Sequence, residues 1–366
     1  MIDIGVNLTS SQFNDVSTVL SNAQENNVKK IIVTGTSVQE SKNAISLCQD
    51  FEEMFPNMLH CTVGIHPHEA SSFSSSSLKE LKNLAKHECV VAIGETGLDY
   101  YRNFSPKEIQ AKSFSKHIEL AIDIGLPLFL HERDAFDDQI KILKSFGQDL
   151  PKSVIHCFTG SQNNLAEYLD MGMHIGITGW ICDKKRGENL RAIVNQIPLD
   201  KLMMETDSPY LLPQNIPKRP KKRVNEPAFL DYVASQIALN RNESLDEIKI
   251  ATTENAPQAA DSTLVERARQ RIRRFIFCAN RTMWFSACEL GVFLATGDSC
   301  VRTEPTTKVF SGKGIAMMHE CKRLLNHSTA ADGLLLARSS TQRTTATSMD
   351  AFLVPQPTDG DADEDS

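Results

Sequence analysis

Short apolar runs alternate with amphipathic stretches along roughly the first 255 residues of the chain. Each run has the length of a buried β-strand, and the stretches between them place apolar residues at helical spacing. Eight strands alternating with helices predict an α/β fold of the (β/α)8 TIM barrel type. An open, doubly wound sheet is the alternative, but no Gly-x-Gly-x-x-Gly sequence follows the first run. The runs lie at residues 2–7, 30–35, 59–65, 89–94, 127–131, 152–156, 173–177 and 201–205, and helices are predicted near residues 11–26, 38–53, 108–124, 135–146 and 246–255.

Four of the apolar runs stop at an acid or a histidine, namely Glu95, His131, His156 and Asp207. In a barrel of parallel strands, side chains at the carboxyl ends of the strands face one pocket. Taken singly, each histidine is better explained as a core residue and each acid as a helix cap. Four together, in strand order, indicate a shared metal site instead. Carboxylate oxygen and imidazole nitrogen suit Zn²⁺, Mn²⁺ or Mg²⁺, so we expect one or two divalent cations in a hydrolase.

The charge distribution excludes a broad basic surface. The formal net charge is −7, so nucleic acid must be attracted by a local patch or by a bound cation. One such patch is the run 218–223, in which every residue except Pro220 is positively charged. We expect Lys221 and Arg223 of this run to bind substrate phosphates. A solvated loop and a nuclear-localisation signal are the alternative interpretations.

Cysteine usage and hydropathy bear on the compartment. The nine cysteines are an odd number and form no Cys-x-x-Cys pair, which is typical of a protein in a reducing compartment. The chain opens in an apolar run without the charged segment of a secretory signal, and no apolar stretch has the length of a membrane span. We therefore expect a cytoplasmic monomer that makes no membrane contact, with the nucleus as the second location.

Nine short motifs occur in order along residues 1–257. They are Asp3–Thr9, Gly64–His68, Gly94–Asp99, His131–Asp134, His156–Gly160, Gly176–Gly179, Glu205–Leu212, Asn225–Pro227 and Thr253–Asn255. Together they resemble the motifs of TatD-type metal-dependent deoxyribonucleases. The resemblance implies a TIM barrel of the metal-dependent hydrolase superfamily that cleaves DNA phosphodiesters as a 3′→5′ exonuclease and favours single strands. It also suggests a role in DNA repair or in apoptotic DNA degradation, and nothing in the residues chooses between the two.

The resemblance assigns roles to four residues of these motifs. It implies that Glu95, His131, His156 and Asp207 are metal ligands and that Glu95 bridges two cations where two bind. It further implies that Asp207 acts as general base, because a carboxylate beside the attacking water can take its proton. Glu95 and Asp207 are therefore the expected catalytic residues.

Two further residues are expected to contact the substrate. His66 is expected at the scissile phosphate or at a metal, whereas Arg133 can offer a bidentate guanidinium to a phosphate or pair with Asp134 instead. The chain departs from the family at Gly5 and Asn7, where many members carry histidines that hold a second cation. We therefore expect the second metal site to be weak, substrate-assisted or absent.

The chain divides by composition near residue 261. Residues 1–261 are expected to form the TatD-like barrel, and residues 262–366 a poorly structured C-terminal extension, because their apolar periodicity is poor and their composition drifts. An appended module that contacts nucleic acid is the alternative.

Two other functions compete with the nuclease. One is hydrolysis of a different ester, such as that of an aminoacyl-tRNA, on the same scaffold. The other is a non-catalytic binding protein, for which Gly5 and Asn7 are the only support.

Overall fold

Eight parallel strands follow one another in sequence order around a barrel. This computed structural model describes residues 1–256, so the predicted extension at residues 262–366 lies outside the described residues. The predicted TIM barrel is confirmed, because each strand pairs in parallel with its neighbour along the chain. The strands are β1 Ile2–Val6, β2 Lys30–Val33, β3 Leu59–Val63, β4 Val90–Asp99, β5 Leu128–Arg133, β6 Ser153–Ile155, β7 His174–Ile177 and β8 Leu202–Met204.

Helices on the outside of the barrel connect the strands. Several begin at a side-chain cap, such as Ser37 before α2 and Ser244 before α9. The first helix begins at Val16 and not near residue 11, because Asp15 caps it by accepting from the Thr18 N–H group. Among the described helices, none is long and apolar enough to cross a membrane. They are α1 Val16–Glu25, α2 Val38–Phe51, α3 Ser75–Leu84, α4 Lys107–Ile124, α5 Phe136–Ser145, α6 Gln162–Asp170, α7 Glu188–Ile193, α8 Leu230–Ala238 and α9 Leu245–Asn255.

Strand β4 is longer than its sequence predicts. The apolar run stops at Gly94, but β4 continues to Asp99, and its register against β5 shifts between Ile93 and Thr96. Gly97 has a φ of +144°, and a Cβ atom there would overlap the carbonyl oxygen of His131. The glycines that resemble strand breakers in the sequence therefore allow β4 and β5 to approach closely.

The barrel closes where its first and last strands meet. Val6 and Ser208 form an isolated parallel bridge, and the Asp207 N–H group donates to the Gly5 carbonyl oxygen over 2.9 Å. The buried Asp3 carboxylate accepts from both the backbone N–H and the hydroxyl of Thr206, at 2.9 and 2.6 Å. We call these contacts the β1–β8 seam. They fix the backbone on either side of Asp207.

The base of the barrel is filled by a small apolar cluster that includes Ala256. Ala256 is buried among inward-facing strand residues, such as Ile4 and Phe129. Just before it, the Asn255 side-chain amide donates to the carbonyl oxygens of Leu199 and Leu202, at 2.7 and 2.8 Å. The end of α9 is thus attached to the barrel base, on the side opposite the carboxyl ends of the strands.

Candidate active site

Three histidine side chains converge on one carboxylate oxygen at the carboxyl ends of the strands. Glu95 Oε1 lies 2.9 Å from His131 Nδ1, 2.9 Å from His156 Nε2 and 3.2 Å from His66 Nε2. Glu95, His66 and His156 are buried, and His131 is half-buried. The structure therefore brings together three of the four predicted metal ligands, with His66 beside them.

The charges of these groups compensate one another. Burial alone would raise the pKa of Glu95, but the positive charge of His156, the neighbouring His66 ring and hydrogen bonds from His131 and His156 hold it well below its usual range. Burial likewise opposes a charge on His156, yet the carboxylates of Glu95 and Glu205 raise its pKa well above the ordinary value. His131 and His156 thus favour their protonated forms, and a bound cation would supply this positive charge in their place.

Asp207, the fourth predicted ligand, follows β8 in the left-handed backbone region, with a φ of +53°. Its Oδ1 atom accepts from the Asn7 side-chain amide over 3.0 Å. Burial raises the pKa of Asp207 to about 7; His156 opposes this shift, and the carboxylates of Glu205 and Glu95 add to it. Asn7 therefore acts on this site as a hydrogen-bond donor to Asp207.

Glu205 is a buried acid that orients His156. Its Oε1 atom accepts from the Cys157 N–H group over 2.5 Å, and its Oε2 atom lies 3.4 Å from His156 Nδ1. Glycines at positions 5 and 176 make room for it, since a Cβ atom at either would crowd the Glu205 carboxylate. Gly5, which replaces a histidine of many family members, thus leaves space that the Glu205 carboxylate uses.

His68 and Asp99 complete the cluster, and the sequence did not single out either of them as a site residue. Asp99 Oδ2 lies 2.7 Å from His68 Nε2 and 3.4 Å from His131 Nε2. Asp99 is four residues beyond Glu95 on the same strand, so both side chains lie on one face. That spacing would have identified Asp99 if β4 had been predicted to continue past the glycines.

The hydrogen bonds of His66 determine which nitrogen carries its proton. His66 Nδ1 accepts from the His68 N–H group over 3.1 Å, which leaves the proton on Nε2, facing Glu95. Burial lowers the pKa of His66 to about 4, against the opposing charge of Glu95, so the ring is neutral at pH 7. A neutral ring with a proton on its inward nitrogen is a hydrogen-bond donor. Of its two predicted roles, this favours contact with the phosphate over metal ligation.

The site opens into a cavity of about 730 Å³ whose wall includes arginine and aromatic side chains. The Arg133 guanidinium stacks on the Tyr101 ring, 3.9 Å from its centroid, and Arg186 lies over Trp180 at 4.3 Å. Arg186 is also paired with Asp183. Arg133 makes no ion pair with any residue from 1 to 256, including Asp134, so a half-buried positive charge faces the cavity without an anionic partner.

The basic run 218–223 does not line this cavity. Lys221 and Arg223 are exposed, on the connection that follows β8, and they are absent from the cavity wall within the described residues. Their predicted contact with substrate is therefore not part of the site that the other residues form. It remains a prediction for a longer nucleic acid that extends beyond the cavity.

The donor set fits a divalent cation. Ligand atoms of His66, Glu95 and His131 lie within 4.8 Å of one another, and the buried His131 Nε2 atom makes no hydrogen bond in the structure, although Asp99 Oδ2 lies 3.4 Å away. His131 and His156 each direct one nitrogen at Glu95 and the other towards a second carboxylate, Asp99 or Glu205. Carboxylates in that outer position fix the ring orientation of metal-bound histidines.

We predict that Glu205→Gln weakens metal binding without unfolding the barrel. The amide oxygen can still accept from Cys157, but the negative charge beside His156 Nδ1 is lost, and such outer contacts are worth about 10- to 100-fold in metal affinity. Affinity can be measured by competition with a chromophoric chelator, with a thermal melt on the same samples. Glu254→Gln, at an exposed position of α9, is the matched control. Equal affinity of the two variants would make Glu205 a purely structural residue.

Comparison with known proteins agrees with this geometry. The family model described as TatD related DNase matches residues 2–260. The 3′-5′ ssDNA/RNA exonuclease TatD of Pectobacterium carotovorum is 44% identical over 257 residues, which are 70% of this chain and 97% of that protein. The protein of the same name from Erwinia amylovora is 45% identical over 257 residues, 70% of this chain and 98% of the relative.

Solved structures agree as well. A hydrolase of the TatD family from Entamoeba histolytica superposes with a TM-score of 0.65 at 28% identity, covering 70% of this chain and 96% of that one. A TatD homologue from Escherichia coli K12 gives a TM-score of 0.63 at 28% identity, covering 70% and 95%. The family match spans well over half of the chain and contains every residue of the site described above. The chain belongs to the TatD-related DNase family.

Proposed function

We propose that the protein is a metal-dependent 3′→5′ exonuclease that hydrolyses the phosphodiester bonds of single-stranded DNA. The convergence of His66, His131 and His156 on Glu95, at the mouth of a barrel, carries this proposal. Relatives that bear the name 3′-5′ ssDNA/RNA exonuclease TatD support the direction of attack and the single-stranded substrate, and they extend the substrate class to RNA.

Each residue of the site has a separate role in this proposal. A divalent cation held by Glu95, His131, His156 and Asp207 would lower the pKa of a coordinated water and withdraw charge from the scissile phosphate. Asp207 takes the proton of the attacking water. Asn7 donates to Asp207 Oδ1 and so orients the carboxylate within the site.

Arg133 and His66 position the substrate in this proposal. The unpaired Arg133 guanidinium, held in place by the Tyr101 ring, suits a bidentate contact with a phosphate. The His66 Nε2–H group, which faces Glu95, can donate to a phosphate oxygen instead when substrate enters. Tyr101, which is 59% exposed, presents a ring on which the base of a terminal nucleotide can stack.

The cation is one of Mg²⁺, Mn²⁺ or Zn²⁺, one or two per chain, and two histidine ligands make Mg²⁺ the least favoured of the three. We further propose that the protein acts as a monomer in the cytoplasm or nucleus and serves DNA repair. The alternative, hydrolysis of an aminoacyl-tRNA ester, would use the same site chemistry, but the relatives named as exonucleases do not favour it. The half-buried cation of Arg133 beside the metal ligands favours a phosphodiester.

We predict that Asp207→Asn lowers hydrolysis by at least about 100-fold, because the amide cannot take a proton. The measurement is degradation of 5′-end-labelled single-stranded DNA by metal-stripped protein, with Mg²⁺, Mn²⁺ or Zn²⁺ added back. Glu95→Ala serves as the metal-binding control. A ladder that shortens from the 3′ end, with wild type only, is the expected result.

Two outcomes would contradict this assignment. Turnover of the Asp207→Asn variant at the wild-type rate would remove Asp207 from the chemistry. Cleavage of aminoacyl-tRNA, but not of DNA or RNA, by the folded and metal-loaded wild type would replace the nuclease with the deacylase.

We predict that Arg133 acts on the reacting nucleotide and that the basic run acts only on longer strands. Arg133→Met is expected to lower kcat/KM by about ten- to a hundredfold on a trinucleotide and on a strand of about 20 nucleotides alike. The double variant Lys221→Met with Arg223→Met is expected to lower kcat/KM only on the longer substrate. It is also expected to make that kcat/KM depend less steeply on salt concentration. Equal losses of the basic-run variant on both substrates would place Lys221 and Arg223 at the reacting phosphate.

We propose that residues 1–261 form the catalytic unit and that residues 262–366 are dispensable for hydrolysis. The match to this chain covers 97% of the Pectobacterium relative, so almost nothing beyond the barrel is present in that exonuclease. Removing residues 262–366 is expected to change kcat/KM on single-stranded DNA by less than about twofold. A truncated protein that melts like the full chain but loses activity would show that the extension takes part in catalysis.

A further inference from the structure

A second cluster of metal-ligand side chains lies away from the active site. The thiols of Cys48, Cys61 and Cys89 lie within 4.8 Å of one another. Cys48 is on α2, Cys61 on β3, and Cys89 immediately precedes β4. Since the active site is at the carboxyl ends of the strands, and Cys89 is at the amino end of β4, the two clusters lie on different parts of the barrel.

The spacing of the sulfur atoms suits a thiolate metal site. Cys61 Sγ and Cys89 Sγ are 3.8 Å apart. Two thiolates that each bind one tetrahedral zinc ion at about 2.3 Å lie about 3.8 Å from each other. The backbone adds a fixed link, because the Cys61 N–H group donates to the Cys89 carbonyl oxygen over 2.8 Å. The described cysteines form no disulfide, so these thiols are free to act as ligands.

One side of the cysteine cluster is exposed, and a histidine lies on that side. Cys48 and Cys61 are buried, whereas Cys89 is half-buried and His87, two residues before it, is exposed. The His87 imidazole lies near the Cys89 thiol. Thiolates are ligands that a soft cation prefers, and the half-buried Cys89 gives such an ion access to the cluster. An exposed imidazole is able to turn towards the metal, and three cysteines with one histidine are a common zinc ligand set.

We propose that Cys48, Cys61 and Cys89 bind one Zn²⁺ ion as thiolates, with His87 as the fourth ligand. Zn²⁺ binding releases the thiol protons of the three cysteines to solvent and involves no oxidation, so no further reactant is needed. All four positions of a tetrahedral ion are then filled by protein, which is the arrangement of a structural site. The ion joins α2, β3 and the connection from α3 to β4, and it stabilises the barrel by mass action.

The test uses Co²⁺ as a spectroscopic substitute for Zn²⁺ in the full chain. The starting protein carries Ser at Cys278, Cys288, Cys300 and Cys321, so that thiols beyond residue 256 do not contribute. With thiols kept reduced, we expect an intense thiolate-to-cobalt charge-transfer band in the near ultraviolet, which imidazole and carboxylate ligands do not produce. One equivalent of Zn²⁺ is expected to abolish the band.

Five variants locate the ion. The band is expected to persist in Glu95→Ala, which alters the active site, and in Cys182→Ser, which removes a buried cysteine outside the cluster. It is expected to vanish in Cys48→Ser and in the half-buried Cys89→Ser, the second of which disturbs the core less. His87→Gln is expected to weaken the affinity while keeping the band.

The proposal also predicts stabilisation. Zn²⁺ at about 100 times its dissociation constant is expected to raise Tm by about 5 °C in the Glu95→Ala background, and not in the same background with Cys89→Ser. A band that is absent, or that survives in both Cys48→Ser and Cys89→Ser, would overturn the site. These readouts do not depend on nuclease activity, so a failure here is separate from a failure of the proposed function.

Discussion

A carboxylate buried at the mouth of a barrel must be balanced by positive charge, and much of the site follows from how Glu95 meets this requirement. Three imidazoles reach its Oε1 atom, one from β5 and the others from the residues that follow β3 and β6. Two of those rings are in turn held by further acids, His156 by Glu205 and His131 by Asp99. Of the three rings, only His131 and His156 have raised pKa values, and they face the four carboxylates of Glu95, Asp99, Glu205 and Asp207. Such a surplus of buried acid is the electrostatic basis of cation binding.

Much of this arrangement could be predicted from the sequence, because the physical signals are local. Apolar runs that end in a ligand-type residue identify the strands, and parallel pairing then places Glu95, His131 and His156 at one end of the barrel. The parts that could not be predicted depend on contacts between distant segments. Asp99 follows glycines that, in the sequence, resemble the end of a strand. Only the structure shows that these glycines allow β4 to approach β5 closely.

The placement of the basic side chains likewise could not be predicted from the sequence alone. A run of basic residues indicates charge but not where its loop lies, and Lys221 and Arg223 are outside the cavity wall. Arg133 was predicted to bind a phosphate or to pair with Asp134, and the sequence could not choose between these roles. The structure stacks Arg133 on Tyr101 and gives it no acid among residues 1–256. A cation held in place without a counter-charge is suited to an incoming anion.

The β1–β8 seam has a consequence for the order of events during folding. Thr206 and Asp3 are separated by 203 positions in the chain, so their contact is among the costliest to form in loop entropy. Asp207 is held by Gly5 and Asn7 across the same junction. A growing polypeptide thus carries Glu95, His131 and His156 well before it can place Asp207, the proposed proton acceptor. Catalytic competence arises only when the two ends of the barrel meet, and a partly folded chain has no complete site with which to cut nucleic acid.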